Sequence, residues 1–185
     1  MSVFAWRHPK PHGAAGRCIG ARSDLDVDPR RAKRVARRIQ RTARALGLPR
    51  IVVTSPAWRC AAVGRWLRRW GWVHRIDTAL AELDFGAWDG LAWGAIAPAE
   101  IDAWCADFSG YAPGGGEPLA ALLARAAGWQ PGAARVVVSH GGWLLARRWA
   151  EAHPDGRAPR AAEWPRAPRY GERLPLAARS PAADA

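Results

Sequence analysis

Hydrophobic residues along the chain fall into two patterns, short continuous runs and longer stretches in which they recur every three or four positions. The short runs cover residues 2–6, 50–54 and 135–138. Short apolar runs are typical of buried strands, whereas the three-to-four spacing is typical of amphipathic helices. Because the two patterns alternate, the sequence predicts strands that alternate with helices.

The helical spacing is clearest over residues 29–47, where arginines occupy the face opposite the apolar one. Asp28 followed by proline predicts the helix start, and Gly47 predicts its end. Ser55 followed by proline predicts a second helix over 56–70, with Ser55 as its N-cap. The remaining predicted helices cover residues 118–128 and 143–151.

The rest of the chain completes the predicted fold. Residues 72–76 and 174–176 are candidate strands, the second at a sheet edge, whereas residues 78–116 mix Gly, Pro, Trp and acidic residues. We interpret 78–116 as a loop-rich lid with one or two short helices. Strands that alternate with helices favour a three-layer α/β/α sandwich with a mostly parallel sheet. We therefore expect one domain over residues 1–176 and a disordered tail over 177–185.

The net charge of +12 is unevenly distributed along the 185 residues. Residues 1–75 hold 18 basic and 3 acidic residues, whereas residues 76–120 hold 8 acidic and no basic ones. Only 2 of the 28 basic residues are lysines, and Ala and Gly are abundant, which indicates a bias toward GC-rich codons. We favour a solvated arginine-rich surface, with nucleic-acid binding as the less favoured alternative.

Several classes of protein and of site are disfavoured by composition. No apolar run approaches the roughly 20 residues of a membrane-spanning helix, and the N-terminus does not resemble a signal peptide, so we expect a cytoplasmic protein without a membrane partner. Cys18, Cys60 and Cys105 lack the spacing of a metal site, and packing of free thiols is the favoured interpretation. We expect no metal and no cofactor, and no residue pattern indicates an oligomeric state.

Candidate catalytic residues stand where predicted strands end. Arg7 and His8 follow the first strand, Ser55 and Arg59 the second, and His140 the run 135–138. Carboxyl ends of parallel strands share one edge of a sheet, where ligands bind. Two of these strands lead into helix N-termini, whose N–H groups favour anions, and arginine pairs bidentately with phosphate. The pattern predicts a phosphate site.

Four ordered motifs resemble those of the histidine phosphatase superfamily, also called the phosphoglycerate mutase-like family. They are Arg7-His8, the segment 55–59 (SPAWR), Glu82 ahead of 86–90 (GAWDG), and 139–142 (SHGG), and the resemblance extends over roughly residues 3–176. It implies that a small phosphorylated substrate is the partner. It also implies that His8 is the nucleophile that becomes phosphorylated.

The same resemblance assigns roles around His8. Arg7, Arg59 and His140 would bind the phosphate, and His140 would be cationic once phosphate is bound. The second ring nitrogen of His8 is expected to donate to a backbone carbonyl, which fixes the tautomer. Glu82 is the candidate general acid. Asp84 and Asp89 are its rivals, and for both the favoured interpretation is a solvated loop carboxylate.

Finer details resemble the α-ribazole phosphatase branch, which removes phosphate from α-ribazole 5′-phosphate in cobalamin biosynthesis. They are the segments 7–11 (RHPKP), 16–20 (GRCIG), 82–90 (ELDFGAWDG) and 113–117 (PGGGE). Four lid aromatics are candidates for stacking on a flat leaving group, with core packing as the alternative: Trp88, Trp93, Trp104 and Tyr111. A broad-specificity acid or sugar-phosphate phosphatase is the alternative enzyme. A mutase and an inactive phosphate binder are less favoured.

Overall fold

One five-stranded sheet forms the centre of the molecule, in a computed structural model that describes residues 2–177. The strands are β1 Val3–Arg7, β2 Ile51–Thr54, β3 Val73–Ile76, β4 Val136–Ser139 and β5 Arg173–Leu176, in the order β3-β2-β4-β1-β5. Only β5, at one edge, runs antiparallel to its neighbour. The mostly parallel sheet is therefore confirmed, whereas the predicted tail lies outside the described residues apart from residue 177.

Within the described part of the chain, five α-helices accompany the sheet: α1 Pro29–Ala45, α2 Trp58–Arg69, α3 Pro98–Ala106, α4 Leu119–Gly128 and α5 Gly141–Ala152. The lid region, residues 78–116, holds α3 and several single 3₁₀ turns, in agreement with the loop-rich prediction. No helix within residues 2–177 is long and apolar enough to cross a membrane.

Both faces of the three central strands, β1, β2 and β4, are largely buried, and neighbouring residues of these strands point to opposite layers. On β4, Val137 packs with residues of α4 and α5, whereas Val136 and Val138 pack with residues of α1 and α2. On β1, Ala5 and Trp6 are divided between the layers in the same way. Strands covered on both sides read as continuous apolar runs. This explains the sequence pattern and confirms the three-layer arrangement.

Helix starts agree with the sequence only in part. Asp28 caps α1 by accepting from the backbone N–H of Arg30 at 2.7 Å, as predicted. The second predicted helix is present as α2, but its predicted start was wrong, because the helix begins at Trp58 and Ser55 is not its N-cap. The Ser55 hydroxyl lies 2.7 Å from a ring nitrogen of His140 instead. An oxygen of Asp24, in a distant loop, accepts from the Trp58 N–H at 2.6 Å.

Candidate active site

The two histidines meet because β1 and β4 are paired in parallel with their ends in register. Arg7 is opposite Ser139 in the ladder, and the N–H of His8 donates to the Ser139 carbonyl at 3.0 Å. The rings of His8 and His140 consequently lie 5.1 Å apart, edge to face. The structure thus brings the residues after two strands, 132 positions apart in the sequence, into one cluster.

His8 is buried with one ring nitrogen held by the backbone. Its Nδ1 lies 2.8 Å from the Pro9 carbonyl, and because a carbonyl oxygen can only accept, Nδ1 carries the proton. The predicted carbonyl partner is confirmed. Burial, and secondarily the charges of Arg59 and Arg7, lower the pKa of His8 well below its ordinary value of 6.5. The ring is therefore neutral, with the Nε2 lone pair as its nucleophilic site.

His140 is held on both ring nitrogens. Its Nδ1 accepts from Arg59 Nε at 3.2 Å, so the proton is on Nε2, which donates to the Ser55 hydroxyl. Burial, followed by the charge of Arg59, lowers the pKa of His140 well below 6.5. His140 is therefore neutral in this structure. Its cationic form with bound phosphate stays a prediction.

Arg59 is fully buried and fixed by three contacts. Nε donates to His140, Nη1 to the Ser23 carbonyl, and Nη2 to the Gly20 carbonyl at 2.8 Å. A guanidinium has five N–H groups, so two of them have no protein partner among residues 2–177. The loop 20–23 thus fixes the direction in which this arginine points.

Arg7 contacts a different part of the chain. Its Nη1 donates to the Pro168 carbonyl at 2.8 Å, and its guanidinium carbon lies 3.9 Å from the centre of the Tyr170 ring. Among the described residues, Nε of Arg7 has no hydrogen-bond partner although it is buried. A Cβ atom at position 141 would lie 3.3 Å from this Nε, so Gly141 keeps the space beside it open.

Glu82 is buried against the N-terminus of α5. Its carboxylate accepts from the N–H groups of Gly142 at 2.9 Å and Trp143 at 3.0 Å, and from its neighbour Leu83 at 3.1 Å. A Cβ atom at position 142 would lie 2.5 Å from Oε1, which explains a glycine there. The expectation that the N–H groups of this helix are free for phosphate was wrong for Gly142 and Trp143, because both donate to Glu82.

The two rival carboxylates differ from the expectation of solvated loop residues. Asp89 is half-buried and accepts from the Gly20 N–H at 3.0 Å, the Arg22 N–H at 2.8 Å and the Ser23 hydroxyl. Asp84 forms an ion pair with Arg22 at 2.7 Å. The solvated interpretation was wrong for Asp89, which fastens the loop that holds Arg59.

An open cleft of about 680 Å³ lies beside the cluster. Its lining includes Arg7, Glu82, Gly141 and an aromatic wall of Phe85, Trp93, Trp104, Phe108, Trp164 and Tyr170. Trp93 and Trp104 stack with rings 2° from parallel, so two of the four predicted lid aromatics face the cleft. Trp88 is buried with Cys18 and Ile96 instead, and the Tyr111 ring packs on Trp88.

One of the three cysteines, Cys105, lines this cleft. Cys18 and Cys60 are buried, in agreement with packing, whereas Cys105 is exposed. Over residues 2–177, no three His, Cys, Asp or Glu side chains converge as a metal site would require.

Tyr170 is the residue of this site that the sequence reasoning missed. Its ring packs over Arg7 and lies 5.5 Å from the His8 ring. The sequence holds one signal for Tyr170, which is its place just before the predicted edge strand at 174–176. In the structure this strand pairs antiparallel with β1. An antiparallel partner of β1 begins where β1 ends, so the residues just before it lie beside Arg7 and His8.

Two histidines and two arginines thus converge at the carboxyl edge of a mostly parallel sheet, next to an open cleft. This fold and site define an α/β protein with a histidine–arginine centre of the kind that binds phosphate groups. A sequence model of the histidine phosphatase superfamily (branch 1) matches residues 3–161. The chain belongs to this superfamily, and the solved structures similar to it include a phosphatase and a phosphoglycerate mutase.

Solved structures agree with this assignment. A mycobacterial glucosyl-3-phosphoglycerate phosphatase complexed with VO3 is 24% identical, with a TM-score of 0.74 over 95% of this chain and 90% of that one. Its native form is 25% identical, with a TM-score of 0.70 over 95% and 89%. A phosphoglycerate mutase from Thermus thermophilus is 26% identical, with a TM-score of 0.65 over 95% and 92%. No curated protein sequence matches the chain.

Proposed function

We propose that the protein is a phosphomonoesterase that works through a phosphohistidine at His8. The observation that carries the proposal is the bond from His8 Nδ1 to the Pro9 carbonyl, because it leaves Nε2 as the lone pair of a neutral, buried ring. A neutral imidazole held in one tautomer is a competent nucleophile. The unpartnered Nε of Arg7 and the two remaining N–H groups of Arg59 supply donors for the phosphoryl oxygens.

In the first step, His8 Nε2 attacks phosphorus while the bond from phosphorus to the leaving oxygen breaks. The two arginines balance the charge of the phosphoryl group, which otherwise repels the nucleophile. A bound phosphate favours the charged form of His140 and so opposes the lowering of its pKa by burial. That form carries a second proton on Nδ1, so it requires Arg59 Nε to move away from this nitrogen, to which it donates in the present structure. In this structure the Nε2–H of His140 donates a hydrogen bond to the Ser55 hydroxyl. When the substrate is bound, we expect this N–H to donate to a phosphoryl oxygen instead.

Glu82 is the proposed proton donor to the leaving alkoxide, and then the base for the water that cleaves phosphohistidine. It lines the cleft where a leaving group would lie. Glu82→Gln should reduce turnover of esters with poor leaving groups more than that of p-nitrophenyl phosphate. Because the substitution also weakens the hydrogen bonds between Glu82 and the N-terminus of α5, the thermal stability of the variant is measured as well. Equal losses on good and poor leaving groups would mean that Glu82 is not the donor.

For the substrate we propose α-ribazole 5′-phosphate, in cobalamin biosynthesis. The motifs resembling that branch support it, as do Trp93 and Trp104, whose stacked rings offer an aromatic wall for a flat benzimidazole. The alternative is a broad-specificity or sugar-phosphate phosphatase. It is favoured by the 25% identity to a mycobacterial glucosyl-3-phosphoglycerate phosphatase.

The test is a phosphate-release assay on α-ribazole 5′-phosphate, p-nitrophenyl phosphate, 3-phosphoglycerate and sugar phosphates, with His8→Ala beside the native chain. We expect turnover of α-ribazole 5′-phosphate to exceed the others and to be lost in the variant. A preference for another ester by orders of magnitude would overturn only the substrate. If nucleic acid is the ligand instead, binding falls steeply with salt and survives His8→Ala.

A further inference from the structure

Residues 168–172, here called the C-terminal clamp, wrap around the end of β1. The N–H of Gly171 donates to the carbonyls of both Arg7 and His8, at 3.0 and 3.2 Å. In return, the Arg7 N–H donates to the Glu172 carbonyl at 3.0 Å, and the Arg7 guanidinium donates to the Pro168 carbonyl at 2.8 Å. The superfamily match ends at residue 161, so the clamp lies beyond the part of the chain that the family model covers.

Within the clamp, Tyr170 is the one residue whose ring faces the site. The ring centre lies 3.9 Å from the Arg7 guanidinium carbon and 5.5 Å from the centre of the His8 ring. The backbone that carries it is fixed by the two hydrogen bonds from Gly171, whose φ of +71° is a turn conformation that glycine adopts without strain. The ring also forms part of the cleft lining.

We propose that Tyr170 is a positioning residue that holds Arg7 in its phosphate-binding orientation, and that the C-terminal clamp is therefore part of the active site. This inference rests on the proposed function, because it assigns Arg7 to the phosphate. Arginine has a long side chain whose rotamer freedom is lost when it binds a phosphate. The Nη1 of Arg7 donates to the Pro168 carbonyl, and its guanidinium lies over the Tyr170 ring. These two contacts order the Arg7 side chain before phosphate binds.

The attraction between the ring and the guanidinium comes from the negative face of the aromatic quadrupole. It therefore depends on the electron density of the ring as well as on its bulk. If this attraction orders Arg7, then removal of the ring face should weaken phosphate binding by about fivefold to thirtyfold, the range that a partly desolvated cation–π contact corresponds to.

The experiment compares Tyr170→Phe with Tyr170→Leu in the full chain. Leucine keeps apolar bulk and lacks the ring face, whereas phenylalanine keeps the face and lacks the hydroxyl. The Kd of inorganic phosphate is measured by calorimetry, and KM and kcat by phosphate release. We expect the phenylalanine variant to match the native Kd within about twofold and the leucine variant to bind phosphate about fivefold to thirtyfold more weakly, with a larger effect on KM than on kcat.

A second series keeps the shape of the side chain and protects the test against misfolding. Phenylalanine with one, two and three ring fluorines at position 170 withdraws electron density stepwise. The phosphate Kd should rise with each fluorine while the melting temperature stays constant. A flat series, or equal Kd values in the leucine and phenylalanine variants, would overturn the proposal. Tighter phosphate binding by the leucine variant would also overturn it, since the ring would then obstruct the site.

The two proposals fail in different ways. If the native protein binds phosphate but hydrolyses no phosphate ester, the proposed function is wrong. The positioning role of Tyr170 is then still decided by the phosphate Kd values of the variants at position 170. If native turnover is robust and lost in His8→Ala, yet phosphate binding does not respond at position 170, only the positioning role is wrong.

Discussion

Asp89 offers a sharp test of how the site is held together, because it contacts no proposed reacting group. Its carboxylate accepts from the Gly20 N–H, the Arg22 N–H and the Ser23 hydroxyl. The carbonyls of Gly20 and Ser23 in turn accept from the Arg59 guanidinium. We therefore expect Asp89 to act on the proposed phosphate site through this loop, as a positioning residue.

The substitution Asp89→Ala removes three hydrogen bonds to one carboxylate. Each such bond to a charged acceptor contributes roughly 1.5–3 kcal/mol, and water replaces part of this in a half-buried loop, so we expect a loss of about 2–4 kcal/mol in the free energy of unfolding. Asp89→Asn keeps one acceptor oxygen and should lose about half as much. The loosened loop should also release Arg59 and raise KM for phosphate esters by about tenfold, equivalent to about 1.4 kcal/mol.

The matched control is Asp84→Asn, which removes the charge of an ion pair to the same loop and keeps an oxygen to accept from the Gly86 N–H, now at 2.8 Å. That pair joins Asp84 to Arg22, whose side chain is 59% exposed, and such pairs contribute about 0–1 kcal/mol. Urea unfolding gives the two free energies, and phosphate release gives KM. If the Asp89 and Asp84 variants unfold with equal free energies and both keep the native KM, the proposed chain of contacts from the lid to Arg59 does not operate.

Three further predictions concern the histidines, the glycines and the lid. Gly142→Ala should push the Glu82 carboxylate off α5 and destabilise the fold by about 1–3 kcal/mol in urea unfolding, whereas Gly128→Ala, with open space around its Cβ, should be neutral or stabilising. Burial holds the pKa of His140 below 6.5 in the folded state, so its contribution to stability is complete above pH 6.5 and is lost as the pH falls. Below pH 6.5, the free energy of unfolding of the native protein should therefore fall with pH more steeply than that of His140→Gln, by up to about 1.4 kcal/mol per pH unit. Parallel plots of unfolding free energy against pH for the two proteins would contradict this. Trp93→Ala should raise KM for α-ribazole 5′-phosphate and leave sugar-phosphate turnover unchanged, and equal effects on both would refute an aromatic subsite.

The fold could be predicted from the sequence because its determinants are local. Strands buried on both faces give continuous apolar runs, and α1 has one apolar face and a proline after a capping aspartate. The residues after β1 and β4 could be placed at one edge of the sheet because parallel strands end together. The pairing of His8 with His140 followed from this rule and from motif order.

The unpredicted parts depend on contacts between distant residues. Ser55 before a proline has the local features of an N-cap, and nothing nearby shows that its hydroxyl contacts His140, 85 positions away. Asp89 is similarly linked to a loop 66 to 69 positions earlier. Tyr170 lies in a stretch without periodicity, so only the pairing of β5 with β1 places it at the site.

The central claim is that a phosphoryl group passes through His8, and trapping that intermediate tests it most directly. Native protein and His8→Ala are mixed with a phosphate ester in a quench-flow apparatus and stopped in alkali, in which phosphohistidine is stable. Peptide mass spectrometry then locates the added phosphate. We predict a burst of phosphate on the peptide that contains His8, and neither phosphopeptide nor turnover in the variant. Native turnover without phosphate on His8 at any time, together with unchanged turnover in His8→Ala, would contradict the mechanism.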